Sequence, residues 1–171
     1  KAETVSVDVT DGTINSTGDV TYDLDLTVNP VVAANLRVTG TGTMTADDTN
    51  ELTVTAYDTY GNVATGYSGA KNLTFSGPAT IGANIPNVEG TNIGTPGSFT
   101  FASGILTTPN ATLRAYKVET VDVDVSDGTI NSTGDVSYDL GLTVNPGVAA
   151  NLRVTGTGTM NAGASNELTV T

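Results

Sequence analysis

The chain contains no cysteine, no histidine and no tryptophan, and only six basic residues among 171. Each shortage closes off a class of function. Without cysteine or histidine there is no disulfide scaffold, no zinc finger, no thiol nucleophile and no Ser-His-Asp machinery. Six Lys and Arg stand against 18 Asp and Glu, a net charge of −12. That balance carries no electrostatic footprint for nucleic acid, and no nucleic-acid partner is expected. No apolar run approaches the ~20 residues that a membrane helix needs. Aromatic residues make up only 5% of the chain and charged residues 14%. What remains is rich in Thr, Val, Asn and Gly, a mixture suited to strands and turns rather than to disorder.

The chain also repeats itself, and internal repeats decide the fold before any local reading does. Residues 1–55 align without a gap on residues 117–171, and 45 of the 55 pairs are identical. Lys1-Ala2-Glu3-Thr4-Val5 returns as Lys117-Val118-Glu119-Thr120-Val121, and Asn50-Glu51-Leu52-Thr53-Val54-Thr55 as Asn166-Glu167-Leu168-Thr169-Val170-Thr171. The period is 116 residues. Identity this high is the signature of a tandem array, which leads to the expectation that the chain is a segment of a longer polypeptide.

No segment carries apolar residues at helical spacing, whereas period-two alternation is common. Val121, Val123 and Val125 alternate with Asp122 and Asp124. Val136, Tyr138, Leu140, Leu142 and Val144 alternate with polar or small residues, as do Leu52, Val54 and Ala56. Each predicts a strand with one buried and one wet face. Leu36/Val38, Leu73/Phe75, Phe99/Phe101 and Leu113/Ala115 predict four shorter strands. Turn signals separate them at Asp58-Thr59-Tyr60-Gly61-Asn62, Ser68-Gly69, Ser76-Gly77-Pro78, Ala102-Ser103-Gly104 and Asp127-Gly128. About seven short strands with frequent turns point to an all-β, antiparallel Greek-key sandwich. Proline cannot donate to a ladder and suits a strand exit. Asn29-Pro30 and Asn145-Pro146 therefore read as linkers. The expected division is the last two strands of one repeat in 1–30, a complete repeat in 31–146, and the first two strands of another in 147–171.

The stretch Leu52-Thr53-Val54-Thr55-Ala56-Tyr57-Asp58-Thr59-Tyr60-Gly61-Asn62-Val63, followed by Leu73-Thr74-Phe75-Ser76-Gly77, resembles the second and third strands of bacterial immunoglobulin-like repeats of the invasin/intimin type, and more distantly filamin-type repeats. Residues 99–104, 111–116 and 119–128 resemble their later strands. The resemblance implies an immunoglobulin-like sandwich in the stalk of a large adhesin or other extracellular or cell-surface protein. Its task there is mechanical, and its partners are neighbouring copies in tandem or side by side.

Candidate chemistry is sparse. Asp127, Asn131 and Asp135, with their copies Asp11, Asn15 and Asp19, place oxygen ligands suited to Ca²⁺ in one loop. The spacing lacks the central Gly and terminal Glu of an EF-hand, and turn propensity accounts for the same residues. Asp47-Asp48 is a further acidic pair, absent from the second copy. No cofactor is required, and Ca²⁺ at repeat junctions is the one considered. Lys71 and Lys117 read as solvated rather than as partners in an isopeptide crosslink. The Thr39–Thr43 run reads as the wet face of a sheet, and sequons occur at Asn15, Asn72, Asn110 and Asn131. No constellation of carboxylates points to an enzyme.

Residues 77–97 form a long Gly-, Asn- and Pro-rich stretch carrying Ile81, Ile85, Val88 and Ile93. Stretches of that length in a compact domain are usually functional or disordered, and four branched apolar residues argue against disorder. Two readings stand open: the segment covers a sheet edge of its own domain, or it contacts a neighbouring repeat or chain. Two other functions also remain, a ligand- or glycan-binding adhesin module using residues 77–97, and a spacer in a secreted multidomain enzyme.

Overall fold

A computed structural model describes residues 1–18 and 21–171. Among them there are fifteen strands and no helix, so no helix long and apolar enough to cross a membrane. In chain order the strands are β1 (Glu3–Val7), β2 (Leu24–Val28), β3 (Ala33–Thr39), β4 (Thr43–Thr45), β5 (Thr49–Asp58), β6 (Gly69–Ser76), β7 (Asn87–Val88) and β8 (Thr91–Asn92). They continue as β9 (Pro96–Ala102), β10 (Ile105–Thr108), β11 (Ala111–Arg114), β12 (Glu119–Ser126), β13 (Leu140–Asn145), β14 (Val154–Thr155) and β15 (Thr169–Val170).

β1 and β2 pair only with each other, as do β14 and β15. The other eleven strands form one sheet system around a single core. One run is β4-β13-β12-β6-β9-β10. The other holds β3, β5, β11, β7 and β8, and the two meet where Ile105 pairs with Thr55. The result is sandwich-like. These pairings are antiparallel except that of β4 with β13, which is parallel.

Alternation explains which side chains enter the core. Along β5, Asn50, Leu52, Val54, Ala56 and Asp58 are buried in strict alternation. Leu36 and Val38 come from β3, Leu73 and Phe75 from β6, Phe99 and Phe101 from β9, Leu113 from β11, Val123 and Val125 from β12, and Leu142 and Val144 from β13. Each large side chain so buried contributes roughly 1.5–3 kcal/mol relative to exposure. Phe75 meets Phe99 edge-on at 5.6 Å, and Tyr67 meets Phe101 at 4.9 Å, the geometry favoured by the ring quadrupole.

The strand expected from Val136 begins only at Leu140. Asp135 Oδ1 accepts the Ser137 amide at 2.9 Å and the Asp135 carbonyl accepts that of Tyr138 at 2.8 Å. The resulting turn leaves Val136 85% exposed. Residues 77–97 are likewise more ordered than their composition predicts, because β7 and β8 form a small hairpin along the edge of β11, with Val88 opposite Leu113. Val88 is fully buried in this core and Ile93 packs against it. Val88 is therefore not available as an inter-repeat contact, which corrects that expectation for this residue, because its own core and the edge of β11 claim it. Ile81 and Ile85 remain 47% and 45% exposed.

Candidate functional site

The repeated element in the sequence is repeated as structure. β1 pairs with β2 in the register Glu3↔Val28 to Val7↔Leu24, and β12 with β13 in the register Glu119↔Val144 to Val123↔Leu140. Local bonds have their twins one period away. Val9 N donates to Ser16 Oγ at 2.9 Å, and Val125 N to Ser132 Oγ at 3.0 Å. The Thr4–Thr27 hydroxyl contact at 3.1 Å matches Thr120–Thr143 at 3.2 Å. At the other end, the Asn50 side chain clamps both backbone groups of Thr41, and Asn166 does the same to Thr157. Burial does not repeat. Val123, Leu142 and Val144 are at most 1% exposed, while Val7, Leu26 and Val28 are 46%, 44% and 43% exposed.

The acidic loop residues serve the turn. Asp127 Oδ1 accepts the amides of Thr129 and Ile130, each at 2.8 Å, and Oδ2 accepts the Tyr67 hydroxyl at 2.6 Å. Burial raises the Asp127 pKa, but these bonds and the Lys71 charge outweigh it and hold it below the usual carboxylate range. Burial first, and then the bond to Asp127, pushes the Tyr67 phenol upward. Asp11 Oδ1 makes the same two amide contacts, to Thr13 and Ile14. Asn131 sits in the loop with its carbonyl accepting Leu36 N at 3.1 Å, and its counterpart Asn15 is exposed. Asp135 caps the next turn as described, and Asp19 lies outside the described residues. Among the described residues no three His, Cys, Asp or Glu side chains converge as a metal set. Lys117 Nζ pairs with Glu119 at 2.7 Å, and Lys71 Nζ lies 4.6 Å from the Tyr67 ring centre.

The linker is tied down by a residue that sequence reading treats only as a turn former. Asp58 is fully buried at the end of β5. It accepts Val31 N at 3.1 Å, Tyr60 N and Asn62 N each at 2.9 Å, and the Asn62 side-chain amide. Burial raises its pKa, but the Asn62, Val31 and Tyr60 bonds prevail and lower it to about 2. Asn62 Oδ1 also accepts Ala2 N at 2.7 Å, so one Asp-Asn pair fastens the chain on both sides of the first hairpin. The signal was present in the sequence, since Asp58 and Asn50 continue the inward phase of Leu52, Val54 and Ala56. Beside Asp58 lies an open groove of about 630 Å³ between Pro30, Val31, Tyr67, Lys71, Asp127 and Ile130. Asn29 is exposed, Asn145 is the last residue of β13, and Pro146 follows it exposed.

Each hairpin also holds a carboxyl pair. Asp139 Oδ1 is buried with no amide or hydroxyl reaching it, and so is Asp23 Oδ1 in the first copy. Burial, then a hydrogen bond and charge repulsion from Asp139, raise the Asp124 pKa to about 6, against a small lowering by Ser132. The bond to Asp23 raises Asp8 in the same direction. A folded pKa above the unfolded one means a contribution present below about pH 4 and lost as pH rises through 6. Asp58, lowered, contributes above about pH 4 and loses that contribution as pH falls through 2. Stability should therefore decline between pH 4 and 7 and again in strong acid. Urea melts of Asp124→Asn should lose most of the first slope and keep the acid limb; an unchanged slope would refute the pair as its cause.

Compared with protein-family models and with curated proteins, the chain matches none.

Proposed function

We propose that this chain is an immunoglobulin-like structural repeat that bears load in an extracellular filament or cell-surface adhesin stalk, its partners being further copies of the repeat. Seven strands, β3, β5, β6, β9, β11, β12 and β13, each place at least two side chains in the core, which supports a seven-stranded sandwich. The observation that carries the mechanical reading is the parallel pairing of β4 with β13, near the beginning and at the end of the core-bearing stretch. Tension enters through β3 at Ala33 and leaves through Asn145. Two parallel strands pulled from those ends are loaded in opposite directions along their length, so their hydrogen bonds share the load in shear rather than opening one at a time. The charge of residues 31–146, 11 acidic against 4 basic side chains, keeps near-identical neighbours soluble and apart.

The test is single-molecule pulling on the chain held at its two termini. One dominant unfolding event is expected, and Ala46→Pro should lower its force by removing the donor that reaches the Asn145 carbonyl at 2.8 Å. An unaltered force sinks the shear reading. Antibody against the chain should label the surface of intact producing cells, and labelling confined to the interior sinks the location.

A further inference from the structure

The register of the β12–β13 hairpin sets two carboxyl groups against each other. β12 pairs with β13 through Asp122↔Gly141 and Val123↔Leu140. One step further would place Asp124 directly opposite Asp139, and like charges so placed are destabilising. The ladder stops there. β12 goes on to pair with β6, Asp124 opposite Ser76, and the chain before Leu140 is a turn. The two side chains nevertheless stay together. Asp139 Oδ1 is buried with no amide or hydroxyl reaching it, and the Asp139 carboxyl is hydrogen-bonded to that of Asp124. A carboxylate only accepts hydrogen bonds, so this contact needs a proton held between the two groups. The Ser132 hydroxyl offers Asp124 Oδ1 only a long bond of 3.5 Å in its place.

The surroundings supply no counter-charge. Asp122 on β12 is a further negative charge acting on Asp124. β6 presents Ser76 to this part of β12, and β13 presents Gly141. Arg37 of β3 lies in a cleft with Asp135 and Tyr138, and Lys71 of β6 acts on Asp127. Among the described residues neither cation forms an ion pair with Asp124 or Asp139.

What the pair holds is the turn before β13. Tyr138 immediately precedes Asp139. Its amide donates to the Asp135 carbonyl and its carbonyl accepts Val38 N, each at 2.8 Å, and its ring leans on that of Tyr57 with centres 6.0 Å apart. Residues 133–137 are exposed, so little burial holds them. Both ends of the segment are fixed. Ser132 N donates to the Val125 carbonyl and Ser132 Oγ accepts Val125 N, each at 3.0 Å, and Leu142 is fully buried.

We propose that Asp124 and Asp139 form a proton-operated latch: sharing one proton they hold residues 133–139 against β3, and losing it they repel and let that segment open while the rest of the core stays folded. The inference rests neither on the repeat bearing load nor on where the protein is displayed. Burial, then the bond and charge of Asp139, raise the Asp124 pKa to about 6. Closure is therefore favoured in acid and lost as pH rises through 6. The bonds released are those of Tyr138 to Asp135 and to Val38. The parallel pairing of Thr143, Val144 and Asn145 with Thr43, Met44 and Thr45 lies beyond Leu142 and is kept.

Amide hydrogen exchange of the whole chain, corrected for the intrinsic rate, tests the latch. Between about pH 5 and about pH 7.5, protection of the Tyr138 and Val38 amides should fall about tenfold and should not depend on low urea, as local opening requires. Ala56 N, bonded to the Gly104 carbonyl at 2.7 Å, should exchange only through urea-dependent unfolding. Asp124→Asn gives the Asp139 carboxylate a permanent amide donor of the same shape, and Asp139→Asn does the converse. Either variant should keep Tyr138 and Val38 equally protected at both pH values. Carboxyl carbon shifts should show the wild-type pair retaining one proton until about pH 6. Tyr138 and Val38 exchanging with the urea dependence of Ala56, protection indifferent to pH, a pH response that persists in both Asn variants, or two carboxyls ionised below about pH 4.5 would overturn the proposal.

Discussion

Leu142→Ala should destabilise the protein by about 3 kcal/mol, whereas Leu26→Ala, the same residue one period earlier, should stay within about 0.5 kcal/mol of the parent in dilute solution. The two leucines occupy equivalent places in hairpins of the same register, with Leu142 opposite Val121 and Leu26 opposite Val5. They differ in what covers them: Leu142 is 0% exposed and Leu26 is 44% exposed. Truncating the first leaves a cavity in a core that relaxes only partly, while truncating the second removes a contact with water. Urea melts of both variants at low micromolar concentration measure the difference. Equal losses would mean that both hairpins are covered alike in solution, and the contrast in burial between Leu142 and Leu26 would fall.

Gly77→Ala should cost about 4 kcal/mol or more, enough to expel the β12–β13 hairpin or unfold the core. Gly77 follows β6 with φ of +120°, and a Cβ built on it would stand 2.1 Å from the carbonyl oxygen of Asp122. The obstacle is the backbone of β12, whose neighbouring residues Asp124, Val125 and Ser126 are already held by pairing with β6. It cannot turn aside as a side-chain tip would. Gly128→Ala is the control. It also has positive φ, +87°, but nothing lies within 4 Å of the added carbon, so only backbone strain of roughly 1–2 kcal/mol applies. If Gly77→Ala were no worse than Gly128→Ala in thermal melts, the close packing of β6 on β12 described above would be wrong.

Some of the site was legible in advance and some was not, for identifiable reasons. Alternation at Leu52, Val54 and Ala56 locates β5, and that at Val121, Val123 and Val125 locates β12, because period two is a property of the chain alone. Asp127-Gly128 marks the loop of the second hairpin, where the Asp carboxylate caps two amides within three residues. Val136 misled, because a residue in phase with Leu140 and Leu142 reads as strand unless the cap at Asp135 is recognised. Residues 77–97 resisted for a different reason. Two-residue strands such as β7 and β8 have no periodicity to read and exist because the edge of β11 offers them partners. Asp58 looked like a turn former, and its hold on Val31 lies 27 residues away in sequence.

The amino-acid sequence by itself determined the period of 116, the register of each hairpin, the turn at each Asp-Gly and the Asn clamp on each Thr-Gly-Thr. The register, the turns and the clamps rest on contacts within about twenty-five residues, so both copies form them alike. Only the tertiary structure decided which copy is buried. Leu26 and Leu142 are identical in type and phase and face the same residue across the hairpin, and no local rule separates them. The difference is that strands β3 to β11 lie against one hairpin and not the other. Burial is a property of what a face meets, whereas strand and turn are properties of the chain that forms them.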